Sequence, residues 1–172
     1  MPTSDHRQIS RILDVVMELR PMSVLDVGAG TGKWGLLLRE YLDLWVHQAS
    51  GASCIEGVEI WKPYIGPIHR LAYDAVFNMD VMDLLENPPH RWDLILAVDV
   101  VEHLQPEDCP RFLDLGRKAA KHLVIVTPRK LVKQGAVNGN PYEEHLTRWA
   151  PTGGEKWEEL AKSWLIYVQG EP

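Results

Sequence analysis

The feature that most constrains the fold is a short apolar run that ends in three alternating glycines. Residues 23–27 are typical of a buried strand, and Gly28, Gly30 and Gly32 follow it. An apolar helical pattern comes next, over residues 33–44. Because glycine has no Cβ atom, the turn can take positive φ angles and let a ligand rest against the main chain. The order of strand, glycine turn and helix predicts an α/β fold whose backbone approaches a nucleotide-like ligand.

Two common phosphate-binding motifs do not fit this turn. A dinucleotide-binding fingerprint needs glycines at relative positions one, three and six, and Lys33 occupies the sixth position counted from Gly28. A Walker A loop needs a glycine, four residues and then Gly-Lys-Ser/Thr, but Val27 and Trp34 occupy its first and last positions. The turn therefore indicates neither a dinucleotide nor a nucleoside triphosphate.

An acidic residue on the strand, followed by Gly-x-Gly-x-Gly, is the pattern that remains. The run 25–32 resembles the first motif of the class I S-adenosylmethionine-dependent methyltransferases. The resemblance implies that Asp26 faces the cofactor's ammonium group, directly or through water, and that the backbone of Gly28 and Gly30 packs near its sulfonium and ribose. Gly32 completes the motif and belongs to the same cofactor-binding set. A tight turn without a ligand is the alternative interpretation.

The second strand, predicted over residues 54–60, has a carboxylate near its end. In nucleotide-binding α/β folds, a carboxylate at this strand tip accepts hydrogen bonds from the ribose hydroxyls. Glu59 is at the tip, whereas Glu56 lies within the strand and is predicted to point to the opposite face. We therefore predict that Glu59 contacts the ribose, with an exposed strand-end glutamate as the alternative.

Residues after the second and third strands are expected to contact adenine. Ile60 or Trp61 is placed to cover the ring. In the family that the first motif resembles, an acid after the third strand accepts from the adenine amino group, and Met79-Asp80 matches that position. Asp80 is also placed to cap the helix that follows, and the two roles are compatible.

The second strong signal is a continuous apolar strand over residues 94–98, typical of a parallel strand buried on both faces. The segment 99–104 after it resembles the fourth motif of many small-molecule methyltransferases, in which the strand tip faces the transferred methyl group. The resemblance implies that Asp99 contacts the cofactor. His103 is the candidate catalytic base, since neutral imidazole accepts a proton near pH 7. A structural role, with the imidazole bonded to the backbone, is equally open for His103.

Two further features bear on the acceptor side. Some relatives bind a divalent metal near the fourth motif, but Asp99, Glu102 and His103 alone do not lead us to predict a metal site. The polar segment 134–145 follows the fifth strand and is expected to be a substrate-side loop, with a solvated connector as the alternative. Its candidate contacts are Asn140, Tyr142, Glu144 and His145.

Alternating strands and helices predict one domain over residues 1–172, an α/β fold with a doubly wound, mostly parallel sheet of the Rossmann-like methyltransferase type. We expect a final helix over residues 155–162. Strands are expected at 23–27, 54–60, 75–79, 94–98, 122–127 and 164–168. The resemblance implies seven strands, so the last one is expected to be missing. An open sheet edge pairs readily, which predicts either a homodimer or an edge covered by the loop of the 130s.

Composition narrows the partners and the compartment. The net charge of −6 argues against nonspecific binding to nucleic acid or to an anionic membrane. No run approaches the roughly 18 apolar residues of a membrane span, and the start of the chain lacks the apolar core of a signal peptide. Cys54 and Cys109 match no metal or redox spacing and are expected to be free thiols. These features predict a cytoplasmic protein.

The prediction for function is an enzyme that transfers a methyl group from S-adenosylmethionine to a small-molecule acceptor. Nucleic acid is not expected as the acceptor, because residues 99–102 lack the Asn/Asp-Pro-Pro-aromatic signature of enzymes that methylate nucleic-acid amino groups. The alternative is a cofactor-binding module without catalysis that serves as a regulatory or partner subunit.

Overall fold

Seven strands and five α-helices organise the computed structural model, which describes residues 4–130, 132–151 and 155–172. The strands are β1 (Ser23–Val27), β2 (Cys54–Val58), β3 (Ala75–Phe77), β4 (Trp92–Val98), β5 (Ala120–Pro128), β6 (Lys156–Leu160) and β7 (Ser163–Gln169). The helices are α1 (Ile9–Leu19), α2 (Lys33–Leu38), α3 (Pro67–Ala72), α4 (Val81–Glu86) and α5 (Asp108–Ala119). A π-helix over Arg39–His47 continues α2, and short 3₁₀ turns include one directly after β4.

The strands form a single doubly wound and mostly parallel sheet, which confirms the predicted fold class. Its order is β3-β2-β1-β4-β5-β7-β6. The first five strands in that order run parallel, whereas β7 is antiparallel to both β5 and β6. Chain order reverses at β1, so a crevice at the carboxyl ends of the parallel strands is the expected ligand site.

The predicted helix over residues 155–162 is wrong, because Lys156–Leu160 forms strand β6. Its residues pair in antiparallel register with β7, from Lys156 opposite Tyr167 to Leu160 opposite Ser163. A tight turn joins the two strands, and it includes a non-glycine residue with positive φ. The sheet therefore has seven strands, and the expectation that the last one is missing is wrong. The homodimer expectation rested on that missing strand and loses its basis.

The sheet is buried on both faces, as the continuous apolar strands predicted. Successive residues of a strand point to opposite faces. Val24 and Leu94 pack in one apolar cluster with α1 and α2, whereas Leu25 and Ile95 pack in a second cluster with α4 and α5. The two layers hold the strand ends in fixed positions, and these ends carry the site. Within the described part of the chain, no helix combines the length and apolar character needed to cross a membrane.

Candidate functional site

A cavity of about 800 Å³ opens at the carboxyl ends of the parallel strands. Its volume falls within the range of small-molecule sites. The glycine turn, the ends of β2, β4 and β5, the start of the chain and the segment after β5 all contribute to its wall. The predicted site residues on the wall are Gly28, Gly30, Glu59, Ile60, Met79, Asp80, Asp99 and His103.

The glycine turn is held close to its neighbouring strands. The backbone N–H groups of Gly28 and Ala29 both donate to the Val58 carbonyl, at 2.9 and 3.1 Å. Gly28 has a φ of +69°, and a Cβ atom there would lie 2.6 Å from Cγ2 of Val100. Gly30 also has a positive φ, of 55°. The turn thus requires glycine at Gly28 both for its conformation and for the close approach of Val100.

Two residues of the motif lie behind the turn instead of on the cavity wall. A Cβ atom at Gly32 would lie 2.7 Å from Cγ2 of Ile68, so this glycine lets the turn pack against α3. Asp26 is fully buried, and the Tyr73 hydroxyl donates to its Oδ2 atom. Among the described residues, Oδ1 of Asp26 has no hydrogen-bond partner. Neither residue lines the cavity, and the cofactor contacts expected of Asp26, directly or through water, and of Gly32 stay predictions.

The surroundings of Asp26 favour its neutral form. The pKa of Asp26 is raised to about 7, chiefly by burial and to a lesser extent by the negative charge of Glu59. The hydrogen bond from Tyr73 and the charge of Lys33 act in the opposite direction. The Tyr73 hydroxyl also accepts from the backbone N–H of Gly35, at 3.0 Å. This network ties β1, α2 and the end of α3 together beneath the turn.

Glu59 joins the glycine turn to the tip of β2. Its two carboxylate oxygens accept from the backbone N–H groups of Gly30, at 2.8 Å, and Trp61, at 2.7 Å. Burial raises the pKa of Glu59, and these two hydrogen bonds lower it. Each oxygen keeps a second lone pair with which to accept from a hydroxyl group. Glu56, by contrast, is not on the cavity wall and accepts from the indole N–H of Trp92, at 2.7 Å.

The residues expected around adenine occupy the wall beyond Glu59. Asp80 lines the cavity and also caps α4, since its Oδ1 atom accepts from the backbone N–H of Met82 at 2.8 Å. The two roles considered for Asp80 are thus geometrically compatible. Ile60 and Met79 line the cavity, whereas Trp61 does not.

Asp99 follows the last residue of β4 and lines the cavity. Its φ is +54°, a left-handed conformation that non-glycine residues rarely adopt. Burial raises the pKa of Asp99 to about 6, against a hydrogen bond with Ser4 and the charge of Lys33. Ser4, Asp5 and Lys33 also line the cavity, so the start of the chain covers this part of the site.

His103 lines the cavity from the 3₁₀ turn after β4. Its Nδ1 atom is 2.9 Å from the Glu144 carbonyl. A carbonyl only accepts, so Nδ1 carries the proton and Nε2 keeps a lone pair when the ring is neutral. Burial lowers the pKa of His103, which favours that neutral form. The ring therefore makes the backbone bond of the structural alternative and still presents a basic nitrogen.

The segment after β5 completes the wall, and part of it was missed by sequence reasoning. Of the four contacts predicted there, Asn140, Tyr142 and His145 line the cavity, whereas Glu144 contributes its carbonyl to His103. The residues that sequence reasoning missed include Ser4, Asp5, Gln8, Tyr64, Gln134 and Glu143. No local motif marks them, because they reach the cavity through contacts between distant parts of the chain.

Three side chains at this end converge closely. Glu102, His103 and His145 each offer a ligand atom, and these atoms lie within 4.8 Å of one another. Glu102 is buried, and the Thr127 hydroxyl donates to its Oε2 atom at 3.1 Å. Burial, together with the negative charge of Asp99, raises the pKa of Glu102 to about 8. One carboxyl group and two imidazoles thus face a shared space.

Comparison with known sequences points to a single family. A family model described as a methyltransferase domain matches residues 4–167. The ubiquinone biosynthesis O-methyltransferase of Neisseria meningitidis serogroup C (strain 053442) is 25% identical over 162 residues. The match covers 86% of this chain and 61% of that protein, so the chain spans less than two thirds of this relative's length.

Solved structures share the fold. A SAM-dependent methyltransferase from Archaeoglobus fulgidus is 24% identical with a TM-score of 0.57, over 73% of this chain and 54% of that one. The DhpI–SAH complex is 16% identical with a TM-score of 0.67, over 96% of this chain and 84% of that one. An O-methyltransferase family protein from Burkholderia thailandensis is 13% identical with a TM-score of 0.63, over 94% and 55% of the two chains. At these identities the likeness is one of fold.

Proposed function

The chain belongs to the methyltransferase-domain family, and we propose that it transfers a methyl group from S-adenosylmethionine to a small-molecule acceptor. The observation that carries the proposal is the layout of the cavity. A glycine turn bonded to Glu59 forms one end, and the Nε2 atom of His103 is available at the other. The name of the Neisseria relative and the SAH complex of DhpI support the same reaction class.

The residues at the glycine turn fit this cofactor. A Cβ atom at Gly28 would clash with Val100, so the bare backbone lets that side chain pack against the turn at the cavity wall. The carboxylate of Glu59 has lone pairs left for a ribose diol, and Asp80 lies beyond it as an acceptor for the adenine amino group. The volume of about 800 Å³ leaves room for an acceptor beside the cofactor.

The chain contributes mainly positioning and the removal of a proton. When bound, S-adenosylmethionine supplies an electrophilic methyl carbon on its sulfonium. The cavity walls hold donor and acceptor in line and exclude water. In the proposed mechanism, the Nε2 atom of His103 takes the proton that the acceptor oxygen or nitrogen loses, because Nδ1 already donates to Glu144.

The acceptor class and the compartment are part of the same proposal. The net charge of −6 supports a small molecule over nucleic acid as the acceptor. The thiols of Cys54 and Cys109 are free, which is typical of a reducing compartment and supports a cytoplasmic location.

The test is turnover by the purified chain with S-adenosylmethionine and a panel of phenols, carboxylates and amines, measured as SAH formed. We expect at least one class to be methylated, and His103→Gln to lower turnover about 100-fold. Affinity for SAH should stay within about threefold in this variant, because His103 lies on the acceptor side. A wild-type chain that binds SAH but methylates nothing would favour the non-catalytic module. A chain that does not bind SAH would overturn the proposal.

A further inference from the structure

The convergence of Glu102, His103 and His145 at the acceptor end has a use beyond proton transfer. We propose that these three side chains bind a divalent transition-metal ion, which orients a hydroxyl group of the acceptor. The part that concerns the acceptor rests on the proposed function; the binding of the ion does not. The proposal goes against the sequence expectation of no metal site, which considered Asp99, Glu102 and His103 without His145.

The identity and spacing of the donors suit such an ion. Two imidazoles and one carboxylate form a ligand set typical of Zn²⁺ and related ions, whereas Mg²⁺ and Ca²⁺ prefer oxygen ligands throughout. Two atoms bound to one ion at about 2.1 Å lie up to about 4.2 Å apart. The three ligand atoms here lie within 4.8 Å of one another, so small side-chain rotations bring them to bonding distance.

Outer hydrogen bonds already orient two of the three ligands. His103 donates from Nδ1 to the Glu144 carbonyl at 2.9 Å, which leaves Nε2 as the ligand atom. The Thr127 hydroxyl holds Oε2 of Glu102 at 3.1 Å. Metal-binding histidines and carboxylates are usually fixed by partners of this kind. The orientation of both ligands is therefore set before any ion binds.

The third ligand, His145, has a ring nitrogen that the described part of the chain leaves without a hydrogen bond. The Nδ1 atom of His145 is buried and has no hydrogen-bond partner among the described residues. Leaving a buried polar atom without a partner costs about 1–3 kcal/mol. The ring centroids of His103 and His145 lie 4.8 Å apart, and the two ring planes make an angle of 68°. An ion bound to Nδ1 of His145 would compensate for such a cost.

The backbone fixes the segment that carries His145. The N–H groups of Leu146 and Thr147 both donate to the Glu102 carbonyl, at 2.9 and 3.0 Å. The N–H group of His145 donates to the Gln134 carbonyl at 3.1 Å. These bonds place the third ligand beside the other two, although it comes from a distant part of the chain.

The position of the group defines the role of the ion. Glu102, His103 and His145 all line the cavity, so an ion held by three protein ligands keeps coordination positions open towards the acceptor. A hydroxyl oxygen can occupy such a position and be polarised there. The lone pair of Nε2 on His103 serves either as a base or as a metal ligand. In the metal-free protein it is the base of the proposed mechanism; with an ion bound it is the ligand, and the polarised acceptor hydroxyl would lose its proton to solvent instead.

The test is titration of the metal-free chain with Co²⁺, followed by calorimetry and by the visible absorption of the bound ion. We expect one equivalent to bind, and Mg²⁺ to bind at least about tenfold more weakly because it disfavours imidazole ligands. His145→Ala should weaken Co²⁺ binding about 100-fold, since it removes one of three ligands. His122→Ala is the matched control. It alters another half-buried histidine, which is bonded to Tyr167 away from the cavity, and should leave Co²⁺ binding unchanged.

SAH binding to each metal-free variant separates misfolding from loss of ligands. We expect His145→Ala to bind SAH within about threefold of the wild type, because the glycine turn is untouched. A wild-type chain that binds SAH but no Co²⁺ would overturn the metal site and leave the proposed function standing. So would Co²⁺ binding that His145→Ala and Glu102→Gln leave unchanged. Failure of the wild type to bind SAH would instead count against the proposed function.

Discussion

The two ends of the cavity are built in opposite ways. We call the part at the glycine turn and Glu59 the cofactor end, and the part at Glu102, His103 and His145 the acceptor end. The cofactor end consists of a turn between consecutive elements, and its main contacts are backbone N–H groups donating to Val58 and Glu59. The acceptor end consists of side chains from two distant segments, joined by backbone bonds to the Glu102 carbonyl. A site made from local chain leaves a motif in the sequence, whereas a site assembled from distant segments does not.

Glu59 at the glycine turn and His145 at the opposite end differ in how far the protein itself satisfies their polar atoms. Both oxygens of Glu59 accept hydrogen bonds from the backbone. His145 has a buried Nδ1 atom that lacks a partner among the described residues. The comparison predicts that changes at the cofactor end alter SAH binding, and that changes at the acceptor end alter metal binding and turnover.

The largest expected effect is that of Gly28→Ala on SAH affinity. The substitution adds a Cβ atom 2.6 Å from Val100 at a residue with a φ of +69°, so the turn must shift. We expect binding to weaken at least about 100-fold, or about 2.7 kcal/mol, by calorimetry. Gly51→Ala is the matched control, because Gly51 has a φ of +70° but nothing within 4 Å of the added atom. Equal affinities for the two variants would show that the close approach at Gly28 does not matter.

Next in size is the effect of Asp26 on the pH dependence of stability. Its folded pKa of about 7 lies above the ordinary aspartate pKa of 3.8, so the folded chain holds a proton between these two pH values that the unfolded chain has lost. Stability from this group is greatest at low pH and falls as pH rises, by about 2 kcal/mol between pH 5 and 7. In urea unfolding, the free energy of unfolding of Asp26→Asn should decline less between pH 5 and 7 than that of the wild type. Asp83→Asn is the control, because it alters an exposed carboxyl group and should keep the wild-type decline. If Asp26→Asn also kept that decline, the raised pKa of Asp26 would be contradicted.

A somewhat smaller effect is expected for Glu59→Gln. The amide group replaces an acceptor with a donor, so one of the bonds to Gly30 and Trp61 is lost and the turn is less well held. We expect SAH binding to weaken about 20-fold, or about 1.8 kcal/mol. Glu56→Gln serves as the comparison, since Glu56 bonds to Trp92 outside the cavity, and it should bind SAH as the wild type does. If Glu56→Gln weakened SAH binding and Glu59→Gln did not, Glu56 and not Glu59 would be the glutamate that supports the cofactor.

The smallest effect tests the acceptor end. Thr127→Val removes the hydroxyl that donates to Glu102 while preserving side-chain shape. We expect Co²⁺ affinity to fall about tenfold, which is typical of losing an outer hydrogen bond to a metal ligand. SAH affinity should stay unchanged, so a fall in SAH affinity alone would show that the two ends are not separate as described.

The elements that sequence reasoning placed correctly are those with a strong local signal. β1 was predicted with its observed bounds because a buried apolar run and the glycines delimit it. β6 was missed because Lys156–Leu160 is largely polar and becomes a strand only by pairing with β7. Within the site, Glu59 was preferred over Glu56 by the position of the strand end, and it lies on the cavity wall. Asp26 lies behind the cavity wall, where the Tyr73 hydroxyl donates to it from another element, and no local motif indicates that contact.

The most direct test of the central claim is a crystal structure of the chain with SAH bound. The account predicts SAH along the carboxyl ends of β1, β2 and β3, with a ribose hydroxyl donating to Glu59 and adenine beside Ile60 and Asp80. SAH bound elsewhere on the chain, with the glycine turn facing solvent, would contradict the account.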